Sequence, residues 1–134
     1  MLAKAQREFD RALQKGRWRR RLKRLLGRDQ GLLPFEEVKQ RIGLREQRYR
    51  GLQPVPLDRI VGSLGRSGDF DRVFTPLQRY LQGKWVSVSS ASSAGVHLPP
   101  ISLYKVGDAY FVVDGHHRVS VARQEGQAFI DAEV

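Results

Sequence analysis

Cysteine is missing from all 134 residues. Its absence removes disulfides, thiolate metal sites and cysteine nucleophiles together. Long apolar runs are missing too. None approaches the roughly 18–20 residues that a membrane-spanning helix requires. The opening Met1-Leu2-Ala3-Lys4-Ala5-Gln6-Arg7 lacks the apolar core of a secretory leader. A soluble, cytoplasmic protein without a membrane partner is expected. Acidic residues are the scarce charge, 14 against 24 Lys and Arg, for a formal net charge of +10. No internal repeat is visible.

With 40% apolar and 28% charged residues the chain can bury a core and is not of disordered composition. The charge is unevenly spread. Residues 1–52 hold 16 Lys and Arg and 6 Asp and Glu, whereas residues 53–134 hold 8 of each. The whole excess lies in the first part, so two parts with different tasks are expected: a basic helical arm, 1–52, and a folded domain, 53–134.

In the arm, Leu2, Ala5, Phe9, Leu13, Trp18, Leu22, Leu25 and Leu26 recur at helical steps, which predicts a helix over 2–26 weakened or broken at Gly16. Gly27 is a plausible stop. A second short helix is predicted at 34–42, opened by Pro34 and closed by Gly43, followed by a polar connection over 44–54. From Val55 the texture changes. Val55-Pro56-Leu57 reads as an edge strand. Asp58 is expected to cap a helical turn through Val61, and Asp69 a helix running to Phe74. A further helix is expected from Pro76 to Leu81, ended by Gly83. Residues 86–97 read as a strand passing into a Ser/Ala/Gly loop. The end of the chain is better marked. Ile101–Val106, the turn Gly107-Asp108 and Ala109–Val113 predict a hairpin. A helix from about His116 to Glu125, stopped by Gly126, and a closing strand over 129–134 complete an α+β arrangement.

The turn Asp114-Gly115-His116-His117-Arg118 joins a strand to a helix start. Helix-opening N–H groups lack internal partners, and the macrodipole adds partial positive charge there. Gly115 permits close approach to the backbone, and Arg118 offers a fork of donors for phosphate oxygens. The group forms an anion site, most simply for phosphate. Each residue also has a plainer reading. Gly115 can be punctuation, Arg118 can pair with Asp114, and Asp114 can simply cap the helix. Adjacent histidines point about 100° apart, so one at most faces a given ligand head-on. His97 is the only other histidine, and no metal ligand set is assigned.

Val55-Pro56-Leu57-Asp58-Arg59-Ile60, then Leu98-Pro99-Pro100-Ile101-Ser102-Leu103-Tyr104, then Tyr110 through Arg123 together resemble the ParB-like domain of the ParB/sulfiredoxin superfamily, over about residues 53–134. The resemblance implies a small mixed sheet with packed helices and a nucleotide ligand, CTP or ATP, with Mg²⁺ as its candidate companion. It places phosphate contacts at Gly115, His116, His117 and Arg118, and by position at Ser63 and Arg66. His116 stands where sulfiredoxin has its catalytic cysteine, so that reduction is unavailable. A related free serine kinase has a similar Asp-Gly-His-His-Arg turn. A phosphotransferase with Asp114 or His117 as proton acceptor is therefore the alternative to a nucleotide-binding module of the chromosome-partitioning or transcription-regulator kind. In the arm, Arg17, Trp18, Arg19, Arg20, Arg21, Lys23 and Arg24 are expected to contact DNA phosphates, with Trp18 stacking. A solvated basic face and a membrane surface are the other readings of that run. ParB proteins carry a helix-turn-helix after this domain and the sequence ends at Val134 without one, so backbone contact is expected rather than base readout. A homodimer is a candidate assembly.

Overall fold

The computed structural model describes residues 2–27, 31–43 and 47–134. Part of the connection expected at 44–54 therefore lies outside the described residues. Helix α1 spans Leu2–Leu25, followed by strand β1 (Leu33–Pro34) and helix α2 (Phe35–Ile42). Strands β2 (Leu52–Pro56) and β3 (Ile60–Ser63) follow, then helix α3 (Gln82–Ser93). The chain closes with β4 (Ile101–Val106), β5 (Ala109–Asp114), α4 (His116–Gln124) and β6 (Phe129–Glu133). The six strands described form one mixed sheet in the order β1-β3-β5-β4-β6-β2. β1, β3 and β5 run parallel, β4 returns antiparallel to β5, and β6 pairs parallel with β4. The fold is α+β.

Among the described residues β2 is an edge strand, paired only with β6. Gly51 O accepts from Val134 N, and Leu57 N donates to Ala128 O. Odd-numbered residues of β2 thus face the ladder, and Pro54 and Pro56 fall on the open edge. Neither has an N–H to offer there, which blunts pairing with another strand.

α1 packs onto α3 rather than extending as a free arm. Ala5, Phe9 and Leu13 share one apolar core with Val55, Trp85, Val112 and Val119, so residues on both sides of position 52 build it. Phe9 and Trp85 meet edge to face, with centroids 5.6 Å apart. The helix runs unbroken through Gly16, contrary to expectation. A Cβ there would stand 2.8 Å from Pro76 O and 2.9 Å from Thr75 Cγ2, so the glycine is a point of close contact with the 75–77 segment, not a break.

Four other expectations are corrected. The helical turn after Pro56 is a 3₁₀ turn over Leu57–Arg59, and Ile60 and Val61 already belong to β3. No helix covers 69–74, because the Asp71 carboxylate accepts the N–H of Val73 at 3.0 Å and of Thr75 at 2.9 Å and folds the chain into turns. A single 3₁₀ turn, Arg79–Leu81, leads into α3, and Gly83 lies inside that helix instead of ending one. Residues 86–93 are helical, since Trp85, Val86 and Ser89 face the interior together at helical spacing. Burial of the indole overrides the weak helix preference of the Ser-rich stretch. Elsewhere α2, the hairpin, α4 and β6 lie where the sequence predicts them, within one or two residues.

Candidate functional site

β5 and α4 meet at Gly115, whose φ is +105°. A Cβ on it would lie 2.4 Å from Ile101 Cγ2, so both conformation and space demand glycine. α4 has no side-chain cap. Its first internal backbone bond runs from Val119 N to Gly115 O at 3.0 Å, which leaves the opening N–H groups of His116, His117 and Arg118 outside the helical ladder. Asp114, expected as a cap, instead accepts a bond from Arg118 Nη2 at 3.1 Å.

Arg118 does not reach into open space. Its Nη1 donates to Pro99 O at 2.7 Å and Pro100 O at 3.0 Å. The guanidinium therefore clamps the segment before β4 onto α4 while still lining the cleft at the helix start. Ser63, on β3, is fully buried, and its hydroxyl lies 2.6 Å from His116 Nε2. It anchors the first side chain of α4 from beneath and does not face the cleft. Arg66 N–H donates to the same hydroxyl at 3.3 Å.

Both histidines are buried. Burial, aided by the nearby Arg66 charge, pushes the pKa of each down to about 4. They are neutral near pH 7 and act there as hydrogen-bonding groups, not cations. Phe70 stacks on His116 at 6.3 Å between centroids and meets His117 edge-on at 5.7 Å. His117 Nε2 is buried and has no hydrogen-bond partner among the described residues.

A cleft of about 500 Å³ opens over this helix start, walled by Asp114 to Arg118 on one side and by Arg66, Tyr80 and Lys84 on the other. Its size falls in the range usual for small-molecule sites, about 300–1,000 Å³. Arg66 pairs with Asp69 at 3.4 Å, and the same carboxylate accepts a very short bond from Tyr80. That bond is the main reason the phenol pKa is raised. Sequence reading missed Tyr80 and Lys84, which sit in a stretch whose helix was misread. His97 lines a neighbouring hollow of about 290 Å³ behind Arg118. Among the described residues no three His, Asp or Glu side chains gather as a metal site. Asp114, a carboxylate lining the cleft, is ion-paired with Arg118 at 3.1 Å.

The basic run on α1 divides. Arg19 pairs with Asp71 at 2.9 Å, and Arg17 Nε donates to Leu77 O at 3.2 Å. Arg19, Arg20 and Lys23 line a crevice with Ser67 and Asp71. Trp18, Arg21 and Arg24 are exposed. No described helix is long and apolar enough to cross a membrane.

No protein-family model matches the sequence, and no curated protein matches it. Among solved structures the chain is similar to sulfiredoxin from Arabidopsis thaliana, at a TM-score of 0.44 and 21% identity over 60% of this chain and 80% of that one.

Proposed function

We propose that the cleft at the start of α4 binds a phosphate-bearing ligand, most simply a nucleotide, in a module of the ParB-like kind. The carrying observation is the convergence, on one cleft, of the free end of α4, two cationic side chains and the partnerless His117 Nε2. Backbone N–H groups and the helix dipole favour an anion at Gly115–Arg118. Arg66 and Lys84 supply charge from the facing wall. Arg118 contributes by holding the wall in place, since its Nη donors are engaged by Pro99, Pro100 and Asp114.

A phosphotransferase reading asks for a base beside the ligand. Asp114 is exposed and ion-paired, and His117 has the low pKa of a weak base. No observation here favours transfer over binding.

The test is a thermal-shift and calorimetric series with CTP, ATP and inorganic pyrophosphate, each with and without Mg²⁺. A ligand of the folded state raises the melting temperature. Lys84→Ala and Arg66→Ala should each weaken binding about tenfold, as loss of a charge-assisted contact does. No stabilisation by any of the three ligands would overturn the reading.

A further inference from the structure

α1 carries a cationic ridge on its solvent side that the cleft does not use. At 3.6 residues per turn, Lys4, Arg7, Arg11, Lys15, Trp18 and Arg21 fall on one face, opposite the buried Ala5, Phe9, Ala12 and Leu13. All six ridge residues are exposed, Trp18 at 59%. Successive ridge residues lie about one turn apart, and the ridge extends about 25 Å. Among the described residues none of these five cations pairs with a carboxylate. The acidic groups of the helix are occupied elsewhere: Asp10 with Arg79 at 2.5 Å, and Glu8 with the Ser89 hydroxyl at 3.4 Å. The five ridge cations outnumber the one nearby carboxylate, Glu8, that is not in an ion pair among the described residues, so the ridge is strongly positive. Arg11, Lys15, Trp18 and Arg21 border one shallow concavity together with Gln14 and Arg17.

We propose that this ridge is a docking surface for single-stranded nucleic acid. A row of cations follows a phosphate backbone, and an exposed indole within the row gives a base a face to stack on. Charge complementarity alone would also admit a lipid surface. An interfacial helix, however, needs an apolar face free to enter the lipid, and over the first four turns the apolar face of α1 is already spent on the core. The surface differs from the run 17–24 marked by the sequence. Arg17 and Arg19 are bonded to the 71–77 segment, while Lys4, Arg7, Arg11 and Lys15 take over.

The experiment is a fluorescence-anisotropy titration of the full chain with labelled oligothymidylate, the matching duplex, and phosphatidylserine vesicles, each over a salt series. The triple variant Arg7→Ala/Arg11→Ala/Lys15→Ala keeps the helix, because alanine favours it, and an unchanged melting curve verifies this. It should bind oligothymidylate at least about tenfold more weakly, with the slope of log affinity against log salt reduced by about 2. Trp18→Ala should weaken binding about fivefold or more while leaving the slope in place. Nucleotide binding at the α4 cleft should be unchanged in both variants, so the two proposals fail separately. Unchanged affinity and slope in the triple variant would overturn the inference. So would equal affinity for the duplex with Trp18→Ala neutral, or binding to vesicles alone.

Discussion

A buried ring nitrogen without a partner costs about 1–3 kcal/mol, and among the described residues His117 Nε2 is such an atom, on a ring that borders the cleft. A ligand that drew this ring toward the cleft would recover that cost. His116 is in the opposite condition, with its Nε2 held at 2.6 Å by Ser63. The two share a pKa lowered to about 4, first through burial and then through Arg66. The unfolded chain, with histidines near 6.5, binds more protons than the folded one between those values. Stability is therefore complete above about pH 7 and declines as pH falls toward 4, by on the order of a few kcal/mol in total. Urea midpoints at pH 7.5, 6 and 5 should fall in that order. In a His116→Gln/His117→Gln variant the decline should flatten, and an equally steep decline there would place the proton uptake elsewhere.

The parallel pairing of β3 with β5 sets the height at which α4 begins, and one glycine makes it possible. A Cβ on Gly62 would lie 2.3 Å from the Phe111 ring and 2.5 Å from Leu33 O, so both neighbouring strands press on this position. Gly62→Ala should destabilise the protein by about 2 kcal/mol or more, as overpacking does, read as a lower denaturation midpoint. An unchanged midpoint would mean that β1 and β5 can part without cost. Legibility in the sequence followed the same physics. The hairpin and α4 showed because alternation, a Gly-Asp turn and a Gly stop all act locally. β3 was half hidden, since Gly62 and Ser63 look like loop residues and are chosen for what lies above and beneath them. α3 was misread because its Ser/Ala run has no helical stripe apart from Trp85 and Val86, and its partner, Phe9, lies 76 residues away in the chain. The site was legible as a turn, Asp114 to Arg118, but not as a cleft. Tyr80 and Lys84 come to it only through folding of a segment whose geometry rests on the Asp71 carboxylate.

At the level of the whole molecule, residues on both sides of position 52 build one core, while the excess of cations lies before it. α1 gives its apolar side to that core and most of its cations to solvent, while the cleft lies between the start of α4 and residues Arg66, Tyr80 and Lys84. The central claim is that the start of α4 meets an anion through its backbone. The most direct measurement is a ¹⁵N-amide titration of the full chain with the nucleotide that most raises its melting temperature, or with pyrophosphate if none does. The account predicts that the largest shifts fall on the amides of Gly115, His116, His117 and Arg118, with Arg66 and Lys84 moving in parallel. Silent amides at 115–118, while shifts gather on α1 or appear nowhere, would contradict it.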